Sequence, residues 1–147
     1  NNGVMWFDPR PGRPNSLAPG AKPLANMCPT LVATVDGRRL VLGACGGRRI
    51  LPAVMQLASF IVDAGDDLDT AFARPRIDVS DPDAAVLDPR LDDAARAAVA
   101  EVLATSTVAE TVYPPPFAIP TAIAVGADGT RAGRGAAVHP WAGAVAA

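Results

Sequence analysis

The stretch of residues 22–50 constrains the fold of this chain more than any other part of the sequence. Two apolar runs rich in β-branched residues flank an Asp36-Gly37 pair. Such a pair predicts a β-hairpin, because glycine accepts a positive φ and an aspartate side chain can bond its own backbone. The second run ends in the glycine-rich residues 43–47, and apolar residues then recur at helical spacing. We therefore predict a strand, a glycine turn and the start of a helix.

The glycine turn at Gly46 and Gly47 permits two interpretations. Glycines allow another group to approach the backbone closely, and the first N–H groups of a helix have no partner within it. Beside the positive end of the helix dipole, these groups can stabilise an anion or a developing oxyanion. Paired glycines are equally typical of ordinary tight turns. The residues alone leave a structural turn and an anion site both open.

Size and charge narrow the classes of function. The chain has 147 residues, 50% of them apolar, which is enough for one domain with a core. Its 13 basic and 15 acidic residues are interspersed, which argues against nucleic acid or an anionic membrane as the main partner. Interrupted apolar runs predict no transmembrane segment. The first residue is Asn, with no signal-like segment behind it, so we expect that something upstream has been removed.

Metal chemistry is not predicted from this sequence. Cys28, Cys45 and His139 are too few and too widely spaced for a tetrahedral zinc site, and no cofactor motif is present. The two cysteines fall near opposite ends of the predicted hairpin, so a disulfide is conceivable. We favour the alternative that both are small, reduced core residues.

The N-terminal segment is rich in proline and glycine. A short strand is predicted around residues 4–7, followed by an irregular extended segment to residue 23, because proline removes donors and disfavours helix in its predecessor. Disorder is one interpretation of this composition. Against it, Met5, Trp6 and Phe7 form an apolar cluster that is costly to leave in water. We therefore expect an ordered loop that lines a groove.

Downstream, the apolar pattern from Arg49 predicts a helix buried on all sides, with Pro52 in its first turn and Gly65 after its end. The other predicted elements are helices at 68–73 and 91–103, strands at 77–79, 84–87, 107–113 and 117–125, and a second hairpin turn at 127–130. Hairpins combined with helices, without repeats or a long linker, predict a single α+β domain over residues 1–147.

Several of these pieces together resemble a known family. The main motif is Pro23-Leu24-x-x-Met27-Cys28-Pro29-Thr30, a hairpin, and Gly43-x-x-Gly46-Gly47-x-x-Ile50. Three further pieces keep the same order: Asn1-Asn2 with Phe7, Pro19-Gly20-x-Lys22-Pro23, and Ala73-Arg74-Pro75-Arg76. This sequence resembles the C-terminal part of the small subunit of the gamma-glutamyltransferase family, strongly over residues 1–80 and weakly beyond.

The resemblance implies a fold and a chemistry. Family members are N-terminal nucleophile hydrolases, which implies part of a four-layer αββα sandwich. In this family a precursor cleaves itself and exposes a threonine, whose hydroxyl attacks an amide with its own α-amino group as the base. That threonine lies upstream of the matched sequence, and Asn1 cannot replace it. We therefore expect the nucleophile and the large subunit to come from an upstream part of the same precursor. The family's oxyanion-binding Gly-Gly pair matches Gly46 and Gly47.

The sequence departs from the family where the substrate's amino-acid part is bound. Two serines before the family's Met are replaced by Ala25 and Asn26, of which only Asn26 can donate a hydrogen bond. An Asp-Asp-Phe sequence is replaced by Met5-Trp6-Phe7, which removes the carboxylate that pairs with the substrate ammonium. Arg48 can face an anionic substrate or lie free on the surface. We therefore expect a small-molecule amide other than glutathione, such as an acylated amine or an oxamate-like acid.

Three hypotheses from different classes follow. The first is an amide-cleaving or acyl-transferring enzyme of this family, in which this chain supplies the oxyanion hole and part of the pocket. The second is an inactive relative that keeps the scaffold for binding or assembly, and a threonine at an upstream self-cleavage point would separate it from the first. The third is an unrelated α+β binding domain, which requires that the Gly46-Gly47 turn lie far from any pocket.

Overall fold

The computed structural model describes residues 3–145, within which there are seven strands and three α-helices. The strands are β1 (Thr30–Ala33), β2 (Arg39–Cys45), β3 (Ile77–Asp78), β4 (Ala84–Leu87), β5 (Ala104–Thr107), β6 (Ile119–Val125) and β7 (Arg131–Gly135). The helices are α1 (Ile50–Val62), α2 (Leu68–Ala73) and α3 (Asp93–Ala100), with short 3-10 helices at Gly3–Trp6 and Gly47–Arg49. This mixture confirms the α+β class. Asn1 and Asn2 lie outside the described residues.

The larger sheet is antiparallel, in the order β1-β2-β6-β7. Its first hairpin turns at Gly37, which has a φ of 85° and donates its N–H to the Thr34 carbonyl at 3.1 Å. Its second hairpin turns at Gly129, also with a φ of 85°, where the Asp128 carboxylate accepts from the Thr130 N–H at 2.9 Å. Both predicted hairpins are confirmed, because Asp-Gly turn chemistry acts locally.

One face of this sheet packs against α1 and α2. The core combines Leu40, Leu42 and Ala122 from the strands with Val54, Leu57, Ala71 and their neighbours from the helices. Burying a side chain of the size of Leu contributes about 1.5–3 kcal/mol before its entropy cost. This layer therefore holds β2 and α1 together on both sides of the glycine turn.

The opposite side of α1 is exposed. Leu51, Met55 and Val62 keep 59%, 61% and 42% of their surface accessible. The prediction of a helix buried on all sides is therefore wrong for this chain, because its own elements cover only the side that faces the sheet. The predicted helix ends are confirmed: Pro52 lies in the first turn, and Gly65 follows the last turn with a φ of 77°.

The second face of the larger sheet is open and apolar. Leu31, Val41 and Ile123 pair in one row across three strands and are 79%, 41% and 50% exposed. Successive strand residues alternate between the two faces, so this row lies opposite the core. In a layered sandwich, an apolar sheet face of this kind is buried against another layer of secondary structure.

A smaller sheet, in the order β3-β4-β5, lies beside α1. Gln56 of α1 joins the two parts: its side-chain amide donates to the Ile77 carbonyl at 2.6 Å, and its oxygen accepts from the Ile77 N–H at 2.9 Å. The Gln56 side chain thus pairs with the edge of β3 as another strand would. Helix α3 begins at its N-cap Asp92 and turns its less exposed side toward β5.

Two predicted strands are placed differently in the structure. Residues 4–7 form the 3-10 helix Gly3–Trp6 instead of a strand. The strand predicted at 107–113 is wrong: β5 spans Ala104–Thr107, and residues 108–113 are not in a strand. After Val108 donates to the Leu87 carbonyl at 3.0 Å, the chain leaves the sheet and enters a proline-rich loop. Tertiary contacts of that loop, not its β-branched composition, decide its path.

Neither cysteine forms a disulfide. Cys28 packs beside the core, whereas Cys45 is exposed at the end of β2, so the core prediction is wrong for Cys45. Thr30 pairs with Leu42 on the core face. Continuing this register places Cys28 on the core face and Cys45 on the open face, and side chains on opposite faces cannot be bridged without backbone movement.

None of the described α-helices is both long and apolar enough to cross a membrane.

We expect residues 1–147 expressed alone to self-associate through the open sheet face. Replacing Val41 and Ile123 by Thr keeps the β-branched shape and should raise the monomer fraction, measured by size exclusion with light scattering. Val35→Thr is the control, because Val35 is fully exposed in the hairpin turn outside the paired strands. A monomeric, cooperatively melting preparation of the unaltered chain would contradict the expectation.

Candidate active site

The predicted strand, glycine turn and helix are confirmed. Strand β2 ends at Cys45, the short 3-10 helix Gly47–Arg49 follows, and α1 begins at Ile50. Gly46 has a φ of 147° and Gly47 a φ of 65°, which are both conformations that L side chains rarely adopt. Among residues 3–145, neither glycine N–H donates to the backbone of a turn or loop. These two N–H groups therefore have no backbone acceptor in a turn or loop, and they lie at the start of the 3-10 helix.

The two glycines are required for different reasons. A Cβ atom at Gly46 would lie 2.8 Å from the Cα and 2.9 Å from the Cβ of Ala118, so the backbone of the loop before β6 leaves no room there. A Cβ atom at Gly47 would meet the Trp6 ring at 3.6 Å and the Asn26 Nδ2 at 3.8 Å, which are ordinary contacts. Gly46 is thus a packing glycine, whereas Gly47 faces a small group of side chains.

The side chains that meet at Gly47 are two of the predicted pocket residues. Trp6 is half-buried. Asn26 is also half-buried, and its Nδ2 is shielded from solvent with no hydrogen-bond partner in the chain. Trp6 and Asn26 come from different parts of the N-terminal segment. Hydrogen bonds order this segment into a loop. The third hypothesis placed the turn away from the predicted pocket residues, whereas in the structure two of them lie against Gly47.

Asn15 holds these two parts of the N-terminal segment together. Its Nδ2 donates to the Trp6 carbonyl at 2.5 Å, and its Oδ1 accepts from the Leu24 N–H at 3.0 Å. The single amide thus fixes the spacing between Trp6 and the residues that lead to Asn26. No sequence signal distinguishes Asn15, since an asparagine among prolines and glycines is typical of any turn.

The other predicted pocket residues lie further out. Met5 is 71% exposed, and Ala25 and Arg48 are also exposed. Neither Met5 nor Ala25 approaches the Cβ position of Gly47 within 4 Å. Arg48 forms no ion pair among the described residues. The structure therefore brings Trp6 and Asn26 together with Gly47 and leaves these three residues on the surface around them.

The side chains against Gly47 carry no charge. Asp8 is the acidic residue nearest to Trp6 in sequence, and it is engaged elsewhere: the Arg10 guanidinium lies 2.9 Å from its carboxylate. Hydrogen bonds from Arg10 lower the pKa of the Asp8 carboxyl, so it is ionised and paired at neutral pH. No group of three or more metal-ligating side chains occurs within residues 3–145.

A polar cluster that was not predicted from the sequence packs beside the turn, between the loop of residues 108–118 and β3. Arg49 donates from Nη1 to the Pro115 carbonyl at 2.6 Å, and its Nε lies 3.7 Å from the Asp78 carboxylate. Arg76, only 6% exposed, donates to the Ala118 carbonyl at 2.8 Å and to Glu110 at 2.7 Å. Both arginines thus hold the loop of residues 108–118 against the glycine turn. No local sequence signal marks such long-range contacts.

Solved structures of known enzymes share this fold. A gamma-glutamyltranspeptidase from Pseudomonas nitroreducens complexed with L-DON gives a TM-score of 0.76 over 100% of this chain and 81% of that chain, at 22% identity. The T380A mutant of the Helicobacter pylori gamma-glutamyltranspeptidase gives 0.74 over 95% of this chain and 79% of that chain, at 24% identity. The chain therefore has the α+β fold of part of the αββα sandwich of N-terminal nucleophile hydrolases.

Sequence similarity identifies the family. The gamma-glutamyltranspeptidase family model matches residues 1–140, so the chain belongs to the gamma-glutamyltranspeptidase family. It is 35% identical over 77 residues to the glutathione hydrolase proenzyme of Bacillus subtilis (strain 168) and 37% identical over 78 residues to the acylase ACY 1 proenzyme of Pseudomonas sp. (strain V22). Each alignment covers 52% of this chain and only 13% and 14% of these relatives, respectively.

We expect Gly46→Ala to destabilise the protein strongly. The new Cβ would lie 2.8 Å from the Ala118 Cα, and the φ of 147° alone costs about 1–3 kcal/mol for a residue with a side chain. Gly43→Ala is the control, because Gly43 lies in β2 just before the turn and its Cβ would meet nothing within 4 Å. Thermal melting of the two variants measures the difference, and equal melting temperatures would contradict the packing role of Gly46.

Proposed function

We propose that this chain is part of an amide-cleaving or acyl-transferring N-terminal nucleophile hydrolase, to which it contributes the oxyanion hole and one side of the substrate pocket. Gly46 and Gly47 are the oxyanion-hole residues. Trp6 and Asn26 line the pocket, with Met5, Ala25 and Arg48 at its edge. The observation that carries the proposal is the convergence of Trp6 and Asn26 on Gly47, whose N–H lies at the start of a helix.

The proposed reaction proceeds by covalent catalysis. A threonine from the rest of the precursor attacks the substrate's amide carbon through its hydroxyl oxygen, and its α-amino group takes the hydroxyl proton. The carbonyl oxygen becomes an oxyanion and accepts hydrogen bonds from the glycine N–H groups. The intermediate then expels the protonated amine and leaves an ester, which water or a second amine cleaves. Each oxyanion donor contributes about 3 kcal/mol to transition-state stabilisation.

The partner in this proposal is the remainder of the same precursor. Both curated relatives are named proenzymes, and the aligned segment is 13% and 14% of their length. The open sheet face and the exposed side of α1 are the apolar surfaces that such a partner would cover. The proposed assembly therefore supplies both the nucleophile and the missing layers of the sandwich.

The substrate in this proposal is a small amide whose acyl group carries no ammonium. The relatives include a glutathione hydrolase and an acylase, so both kinds of substrate occur among similar proteins. In this chain the side chains against Gly47 provide one free amide donor, Asn26, and no carboxylate. A buried ammonium without a partner costs several kcal/mol. Arg48 instead favours an acyl group with its own carboxylate, such as an oxamate-like acid.

A second candidate function is an inactive scaffold or binding module of the same fold. It is favoured by the loss of the family's serines at Ala25 and Asn26, which weakens the amino-acid site. Intact mass and N-terminal sequencing of the complete gene product decide between the two. Two chains, with the smaller starting at a threonine, support the enzyme. A single uncleaved chain supports the scaffold.

We expect Gly47→Val to abolish turnover in the complete enzyme while the fold persists. Its side chain would enter the space between Trp6 and Asn26 and displace the oxyanion, since the first added atom already lies 3.6 Å from the Trp6 ring. Gly129→Val is the matched control, because Gly129 also has a positive φ but lies in the distant hairpin turn with no atom within 4 Å. Normal activity of Gly47→Val would exclude the proposed oxyanion hole.

We expect the enzyme to prefer a dicarboxylic acid monoamide over glutathione. Steady-state kinetics with succinyl p-nitroanilide and with γ-glutamyl p-nitroanilide, which carries the acyl group of glutathione on the same leaving group, should give the higher kcat/KM for the former. Arg48→Ala should raise KM for the succinyl substrate about tenfold, the effect of losing about 1.4 kcal/mol of charge-assisted binding. Arg38→Ala controls for a general change of charge, because Arg38 is exposed and paired with Asp36 in the hairpin turn. A clear preference for the γ-glutamyl substrate would refute this substrate class.

A further inference from the structure

The buried Arg76 forms directed hydrogen bonds and a ring contact in addition to ordinary packing contacts. Its guanidinium donates from Nη1 to the Ala118 carbonyl at 2.8 Å and from Nη2 to the Glu110 carboxylate at 2.7 Å. Its Cζ lies 5.5 Å from the centre of the Phe117 ring. The planar guanidinium thus contacts three groups of the loop before β6: the Glu110 carboxylate, the Phe117 ring and the Ala118 carbonyl. An arginine can hold such a geometry because its donors are fixed in one plane.

The loop residue that Arg76 holds is the one that touches the glycine turn. Ala118 is 1% exposed, and its Cα and Cβ lie 2.8 and 2.9 Å from the position of a Cβ on Gly46. Contacts therefore run without interruption from Glu110 through Arg76 and Ala118 to Gly46. Any movement of Ala118 would change the space into which the Gly46 backbone fits.

Stability alone does not account for a charged group in this place. Burial lowers the pKa of the Arg76 guanidinium, while the nearby carboxylates of Glu110 and Asp88 raise it. The desolvation of a buried ion pair commonly cancels its attraction, so well-packed apolar residues would serve as well for stability. What an apolar residue cannot supply is a directed hydrogen bond to the Ala118 carbonyl.

We propose that Arg76 is a positioning residue for the Gly46-Gly47 oxyanion donors, acting through Ala118, with Glu110 orienting its guanidinium. This inference rests on the proposed function of the turn. Arg76 fixes the Ala118 backbone, Ala118 fixes Gly46, and the N–H groups of the turn keep one direction. Oxyanion stabilisation requires donors that are already aligned before the charge develops.

Arg74 provides a matched comparison within the same chain. It pairs with Asp66, and its Cζ lies 5.1 Å from the centre of the Phe60 ring, so its chemistry resembles that of Arg76. Its side chain is 42% exposed, however, and its partners Phe60 and Asp66 lie in the last turn of α1 and just after the helix, away from the glycine turn. A change at Arg74 therefore removes a similar ion pair and ring contact without touching Ala118.

The test uses the complete enzyme, with kinetics expressed per mole of self-cleaved protein measured by mass spectrometry. The substrate is whichever of γ-glutamyl and succinyl p-nitroanilide the unaltered enzyme cleaves. We expect Arg76→Met to lower kcat by about 100-fold with KM within about twofold, the signature of misplaced transition-state contacts. Arg76→Lys, which can reach one of the two acceptors, should recover part of kcat. Arg74→Met should keep kcat within about twofold.

Stability is measured separately by thermal melting. Val54→Ala lies in the core of α1 and should lower the melting temperature without a selective loss of kcat. If Arg76→Met yields no cleaved enzyme, Arg76→Lys and Glu110→Gln carry the test, with an expected kcat loss of about tenfold at unchanged KM. An equal loss of kcat in Val54→Ala at a matched melting temperature would overturn the inference.

The inference and the proposed function fail in different ways. If the unaltered enzyme cleaves neither anilide and is not self-processed, the proposed function fails. If the unaltered enzyme is active but Arg76→Met and Glu110→Gln keep kcat within about twofold, only the positioning role of Arg76 fails.

Discussion

The close approach of the Ala118 backbone to Gly46 is the contact on which the candidate site depends. It joins the end of β2, the start of α1 and the loop that leads into β6, at a distance that excludes any side chain on Gly46. The core between α1 and the sheet holds β2 and α1 in place. Hydrogen bonds from Arg49 and Arg76 hold the loop before β6 against β2 and α1. A turn fixed from three sides can present backbone N–H groups in one direction.

A second constraint acts on the other side of the turn. Between residues 3 and 29, the described chain has only 3-10 structure and an isolated bridge between Asp8 and Ser16. The Asn15 side chain nevertheless links Trp6 to Leu24. Trp6 and Asn26 are thereby held against Gly47. The side chains that surround Gly47 are thus an aromatic ring and an amide whose Nδ2 has no partner within the described residues.

The apolar surface of this chain is covered unevenly. The helix side of the larger sheet is well covered, whereas the row of Leu31, Val41 and Ile123 is not. Helix α1 is apolar on nearly all sides but is packed on one. Surfaces of this kind are typical of protein interfaces, and in the proposed assembly the rest of the precursor covers them.

The sequence by itself determined the features that depend on neighbouring residues. Asp36-Gly37 and Asp128-Gly129 specified two hairpins, Asp67 and Asp92 capped helices, and Gly46-Gly47 ended β2 before a helix. Only the tertiary structure decided the features that depend on distant residues. The strand predicted at 107–113 gave way to a loop held by Arg49 and Arg76, and the predicted N-terminal strand became a 3-10 helix. Overriding a local backbone preference costs little free energy. Leaving the buried Arg76 guanidinium without hydrogen-bond partners costs much more, and its partners lie 34 and 42 residues away in the sequence.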